Sequence, residues 1–373
     1  MKDEVKKLDN SLLRIAIYPY DYEMQPYLRY SSMLKSVKPV ILLTPNGWAS
    51  ENEQLYGYKV QTVLSNDDFQ SLDAIWITDS VNNVQDKQIY EIVEEFLKHN
   101  KQILLSRHIQ KETYDDLVQL VNKYSGKLVN LLQNEQYINF NTIPAKLYDI
   151  YTPIIDIAGI GEKTDKFFLQ LAVKDYLERR GYRTTLVSSR DNSMYLDNVY
   201  SLPAFMNGGI PPEYKIILYN HFVKKIEEEE KPEVIIIGIP GEIMPISKVQ
   251  PGHFGIHAFQ IFNAVNPDFL IMSLYGNEIS GKYIKELKQI MKYKFVANID
   301  CFYLSNYAQD VFTVNRFRPI EYFLINEKNK KQLRDNLKNE VEYEEKIYID
   351  TEIEMLGQYI IDCLNENFEI EVL

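Results

Sequence analysis

The chain has only two cysteines, Cys301 and Cys363, among 373 residues. They give neither a disulfide framework nor a CxxC pair, which excludes disulfide-stapled scaffolds and thiolate zinc modules. Long hydrophobic runs are also missing, and none approaches the roughly 20 residues that a membrane helix needs. The opening residues, MKDEVKKLDNSLLR, lack the apolar centre of a signal peptide. Positive charge is in short supply, with 41 Lys and Arg against 53 Asp and Glu and a net charge of −12. That balance argues against an extended nucleic-acid-binding surface. The expectation is a cytoplasmic chain with neither a nucleic acid nor a membrane as partner. The densest charge run, Glu227–Glu230, reads as the solvated end of a helix.

What is present is an ordinary globular composition, 45% hydrophobic and 25% charged, in a chain long enough for two domains. Residues 1–145 alternate strand and helix. Arg14–Tyr18, Pro39–Leu43, Ala74–Thr78 and Gln102–Ser106 are short apolar runs suited to buried strands. Gln85–Lys98 places Ile89, Ile92, Val93, Phe96 and Leu97 at helical spacing. This predicts a Rossmann-like parallel sheet covered on both faces. No GxGxxG follows its first strand, and Pro19-Tyr20-Asp21-Tyr22 reads there as a surface turn. Asn134–Thr152 shows no period and reads as the link between domains.

The second domain, residues 150–305, is predicted as strand 154–158, helix 166–180, strand 183–188, an irregular stretch 189–213, helix 214–229 and strand 233–239. A Gly/Pro-rich loop over 240–254 follows, then helix 255–264, strand 268–274, helix 280–292 and strand 294–299. Residues 306–373 form a C-terminal extension. It is mixed and charged to 350, then helical over 351–365, with Ile353, Leu356, Ile360, Ile361 and Leu364 as a stripe that packs back onto the body. The fold class is therefore α/β. Two Rossmann-like three-layer domains are expected, the second a degenerate P-loop NTPase-like parallel sheet, with a C-terminal helical extension.

The degeneracy lies in residues 154–182. A buried strand, a Gly-containing turn and a helix ending at Gly181 reproduce the layout in which backbone N–H groups and a lysine hold phosphate. Gly159 and Gly161 allow close backbone approach, Lys163 and Lys166 bring charge, and Thr164 brings a hydroxyl. Lys166 occupies the P-loop lysine position. Asp165, however, stands where glycine is wanted, and Phe167 and Phe168 replace the hydroxyl residues that would hold Mg²⁺. Glu162 adds a second carboxylate. Asp165 reads as an N-cap that satisfies the helix start itself.

The strand Val234–Ile239 ends in Gly238, Pro240 and Gly241 rather than in an Mg²⁺-reaching Asp, with Glu242 the nearby carboxylate. Gly238 and Gly241 still permit a ligand at the carboxyl edge of the sheet. Arg190, in Ser188-Ser189-Arg190, is placed to contact an anion. His253 and His257 lie four apart, but Gly252 and Gly255 disfavour a helix there and no carboxylate or Cys accompanies them in sequence. No metal site is expected. Catalytic residues cannot be assigned.

A combination of motifs carries a resemblance. It runs from the strand into GIGEKTDKF and LQLA, then GYR and SSR, then YNHFVK, EKPEVIIIGIPGEIMP, NPD and DCFYLSN. Over residues 150–307 this resembles the clostridial peptide maturation system proteins, which occur beside radical SAM maturases and Cys-rich bacteriocin-like precursors. The same core is more distantly similar to a P-loop family that includes D-glutamate N-acetyltransferases. There the loop keeps a glycine before its lysine; Gly159 and Lys166 match that pattern, and Asp165 and Phe168 depart from it. The resemblance implies an accessory protein of ribosomal peptide maturation, binding precursor peptide or maturase. The alternative is a transferase or ligase using CoA or a nucleotide at Gly159, Gly161, Lys163, Thr164, Lys166, Arg190, Gly238 and Gly241. A homodimeric scaffold remains open.

Overall fold

The computed structural model describes residues 12–48, 54–80, 84–132, 144–277, 279–316, 319–340 and 345–370. Most of the stretch read as the interdomain link, and the opening residues read for a signal peptide, lie outside them. Two compact units are formed, one by Met1–Asn134 with Asn192–Asp197 and one by Glu135–Asp191 with Asn198–Leu373.

The first unit holds strands β1 (Leu13–Tyr18), β2 (Val37–Leu43), β3 (Gln54–Leu55), β4 (Tyr58–Gln61), β5 (Ala74–Ile77), β6 (Gln102–Leu105) and β7 (Leu128–Asn130). Their order is β3-β4-β2-β1-β5-β6-β7, parallel throughout except for the β3–β4 hairpin. Helices α1 (Asn66–Ser71), α2 (Asp86–Lys98) and α3 (Lys111–Lys123) connect the strands. The central strands read as unbroken apolar runs because both faces are covered: Ile15, Ala16 and Ile17 are all fully buried. On α2, Ile89, Val93, Phe96 and Leu97 form the inward stripe that the spacing predicts. Residues 192–197 belong to this unit although they lie in the stretch read as irregular. Asn192 Oδ1 accepts from the Tyr27 hydroxyl at 2.9 Å, and the Tyr195 ring meets Trp76 edge-on at 5.4 Å.

The second unit is a sheet of seven parallel strands: β8 (Ile154–Gly159), β9 (Thr184–Val187), β10 (Val199–Tyr200), β11 (Val234–Gly238), β12 (Phe269–Leu274), β13 (Cys301–Leu304) and β16 (Ile347–Tyr348). The order β10-β9-β11-β8-β12-β13-β16 puts β8 at the centre. The hairpin β14 (Tyr307–Gln309) and β15 (Tyr322–Leu324) stands apart from it. The helices are α4 (Lys166–Arg179), α5 (Pro212–Glu230), α6 (Ile256–Ala264), α7 (Gly281–Ile290), α8 (Glu327–Glu340) and α9 (Ile353–Ile370). Alternation along β8 sends Ile154 and Ala158 into a core with Tyr219, Val223, Phe262 and Leu287 of α5, α6 and α7. Ile155 and Ile157 face the other way, toward the layer made by α4 and α9.

Helix α9 bears the expected stripe, with Leu356, Ile360 and Leu364 buried. It lies against α4 so closely that a Cβ on Gly357 would collide with the Tyr176 ring. The Tyr176 hydroxyl donates to Gln358 Oε1 at 3.2 Å, and Arg179 bridges to Glu354 at 2.7 Å.

One strand is displaced from its predicted place. Residues 294–299 were expected to be extended, but Met291–Phe295 continues α7 as a wide helical turn that ends at left-handed Val296, and the strand is Cys301–Leu304. Phe295, Ala297 and Ile299 are buried, so their alternation reports burial rather than a strand. Strand β16 went unread because two residues carry no period.

At the middle of β8, Asp156 is fully buried and neither carboxylate oxygen has a hydrogen-bond partner among the described residues. Burial, aided by Asp268, pushes its pKa well above the usual carboxylate range. The folded state therefore holds this proton more tightly than the unfolded chain, and stability falls as pH rises out of the ordinary carboxylate range. Asp156→Asn, which cannot ionise, should melt above wild type at pH 8. The gap should close as pH falls toward 4, as followed by circular dichroism on heating.

Candidate functional site

Parallel strands bring their carboxyl ends to one edge, so the segments after β8, β11, β12 and β13 converge although they are far apart in sequence. The β8–α4 turn is held from all of these. The Ile160 N–H donates to the Ser273 carbonyl at 3.0 Å, and the Tyr275 hydroxyl to the Glu162 carbonyl at 2.5 Å. Ser273 Oγ donates to the Thr164 carbonyl, and the buried Thr164 hydroxyl to the Gly161 carbonyl at 3.2 Å. Lys163 and Asp165 both adopt left-handed backbone, with φ of 54° and 57°. Lys163 Nζ lies 4.7 Å from the centre of the Tyr322 ring.

Asp165 stands at the N-cap position of α4, but its side chain makes no capping bond. This corrects the self-capped turn expected from sequence. Instead its Oδ2 accepts from Asn306 twice, from the backbone N–H at 2.6 Å and from Nδ2 at 2.9 Å. The Asn306 carbonyl oxygen, Oδ1, is taken in turn by the ammonium of Lys330, a buried residue that also pairs with Asp350. The left-handed backbone aims the Asp165 carboxylate away from the helix axis and toward Asn306. A glycine could adopt the same backbone more easily but could not make this link.

Lys166 is buried and donates to the Gly241 carbonyl. Removal from water lowers its pKa to about 8, although the Glu162 and Glu242 carboxylates pull the other way. Phe167 and Phe168 are buried, and the Arg190 guanidinium lies 4.3 Å from the centre of the Phe167 ring. The spaces left by the glycines are filled by the chain itself. A Cβ on Gly159 would strike Thr164 Oγ1 and the Lys166 stem, and one on Gly161 would strike the Tyr275 hydroxyl. At Gly238 the space is taken by Gln170, whose amide holds Ser189 by two bonds, of 2.9 and 3.1 Å. Gly241 is left-handed at φ 70° and turns its carbonyl to Lys166.

The structure thus brings Gly159, Gly161, Lys163, Thr164, Lys166, Gly238 and Gly241 to one edge, with Arg190 over the first turn of α4. Sequence reasoning did not connect Tyr275, Asn306 and Lys330 to the turn. Asn306 carried a signal, since it closes the DCFYLSN motif. Other motif residues fasten backbone. Asn220 clamps Tyr148 and the Ala264 carbonyl, His221 Nε2 pairs with the Lys146 carbonyl at 2.8 Å, and Asp268 accepts from the Ile154 N–H at 2.8 Å. His253 is also not isolated from carboxylates, as its sequence neighbourhood suggested. Its backbone N–H donates to the buried Glu242, and single ligand atoms of Glu162, Glu242 and His253 lie within 4.8 Å of one another.

No family model matches the chain, and no curated protein matches it. Among solved structures it is similar to a DUF1611 family protein from Anabaena variabilis, at 10% identity and a TM-score of 0.61. The match covers 95% of this chain and 99% of that one. At that identity the likeness shows a common fold and no more. Cobyrinic acid a,c-diamide synthase from Mycobacterium smegmatis, solved with ADP and magnesium, aligns at 11% identity over 51% of this chain and 83% of its own. Its TM-score of 0.32 is too low to establish a shared fold. Among the described residues, no helix is long and apolar enough to cross a membrane.

The Asp165–Asn306–Lys330 chain should be measurable as stability. Asn306→Ala removes one bond to a carboxylate and one from an ammonium, and should cost about 2–3 kcal/mol in urea unfolding. Asn306→Asp should cost more, because it sets a second carboxylate against Asp165.

Proposed function

We propose that the chain is an accessory protein of a ribosomally synthesised, bacteriocin-like peptide maturation system. In this reading it binds the precursor peptide or the radical SAM maturase and does not hydrolyse nucleotides. The observation that carries the reading is internal occupancy of the phosphate-handling parts. Lys166 is bonded to Gly241, Asp165 to Asn306, and the glycine spaces are filled by Thr164, Lys166, Tyr275 and Gln170. An incoming phosphate would meet the exposed Glu162 carboxylate, and no hydroxyl follows Lys166 to hold Mg²⁺.

Exposed apolar side chains at the same edge support a partner there. Phe254, Ile256 and Phe259 are 56%, 50% and 44% exposed, the last two one turn apart at the start of α6. Adjacent exposed apolar side chains of this size mark interaction sites. The motif combination over 150–307 supplies the pathway. The transferase or ligase reading, with CoA or a nucleotide, retains one supporting observation, that no side chain caps the start of α4.

Calorimetry separates the two. ATP, GTP and acetyl-CoA, each with and without Mg²⁺, should give no binding heat; tight binding that Lys166→Ala abolishes would overturn the accessory reading. A Cys-rich precursor peptide or a radical SAM maturase of such a system should be captured by the purified protein. Phe259→Asp should weaken that capture about tenfold or more, the effect of placing a charge in an apolar contact.

A further inference from the structure

We infer that Glu162, Glu242 and His253 form a site for one divalent transition-metal ion of the Zn²⁺ or Mn²⁺ class. The three residues come from two loops at the carboxyl edge of the sheet, Glu162 from the turn after β8 and the others from the loop after β11. One ligand atom from each lies within 4.8 Å of the other two, near enough that small side-chain shifts would bring all three onto a common ion bound at about 2.0–2.2 Å. An imidazole and two carboxylates make a nitrogen–oxygen donor set suited to first-row divalent ions, and three protein ligands leave positions open.

A second observation is independent of that clustering. Glu242 is 1% exposed, and its Oε1 accepts from the His253 backbone N–H. Its Oε2 accepts no hydrogen bond among the described residues and points to His253 Nδ1, 3.7 Å away. A carboxylate group this buried, with a hydrogen bond on one oxygen alone, is costly unless a cation meets it. Lys166 does not fill that role, since its amine is turned to the Gly241 carbonyl and forms no ion pair with either glutamate. The loop is shaped around the acid. Gly252 is left-handed at φ 55°, and a Cβ there would strike the Glu242 carboxylate. His253 and Glu162 are exposed, so an ion has a path in from solvent.

The site does not depend on the accessory reading. Titration calorimetry of the metal-free, full-length protein with ZnCl₂ and with MnCl₂ tests it. At least one of the two ions should bind at one equivalent and raise the melting temperature. His253→Ala and Glu162→Gln, both at exposed positions and expected to fold, should each weaken binding by more than about tenfold, since even groups that merely orient a metal ligand are worth that much. His257→Ala should bind as wild type does. The assignment is overturned if neither ion binds wild type, if His253→Ala and Glu162→Gln bind unchanged, or if His257→Ala weakens binding as strongly as His253→Ala.

Discussion

The contact on which the candidate site depends is the grip of Asn306 on the Asp165 carboxylate. It joins the turn after the central strand β8 to the end of β13, and through Lys330 and Asp350 it reaches α8 and the start of the C-terminal helix. Asn306 is suited to this because its amide has two ends. The NH₂ end serves a carboxylate, and the carbonyl end serves an ammonium. A buried Lys330 without partners would be strongly unfavourable, and Asn306 shares its ammonium with Asp350.

That unit explains why the turn looks like a phosphate loop and is organised otherwise. In a phosphate loop the residue before the lysine leaves room and the lysine faces the ligand. Here the backbone is left-handed at Asp165, the side chain at that position is tied to a neighbouring strand end, and the lysine is tied to a neighbouring loop. Glu162 and Glu242 add two carboxylates to the edge that also carries Lys163, Lys166 and Arg190. The inferred metal site shares this edge with the tied Asp165 and Lys166.

Much of this was legible in the sequence. The apolar runs of β1, β5, β8, β11 and β12 announced two parallel sheets, because strands buried on both faces cannot alternate with polar residues. The stripe of α9 announced a helix that packs back. The defects at Asp165 and Phe167 were visible as departures from a local pattern. Where reading failed, the local signal was ambiguous or too short. Phe295, Ala297 and Ile299 are buried at alternate positions without forming a strand, and the two residues of β16 have no period. Asp165 resembled an N-cap because a carboxylate at that position usually is one.

Sequence by itself determined the central strands and the larger helices, the α/β class and the phenylalanines that stand after Lys166, since each follows from side-chain type and spacing within a few turns of chain. Only tertiary structure decided what the surviving polar groups do. Asp165 meets Asn306, 141 residues away, Lys166 meets Gly241, 75 residues away, and Glu162 meets Glu242 and His253. These pairings depend on strand order, which places the ends of β8, β11 and β13 side by side, and no periodicity along the chain encodes that order.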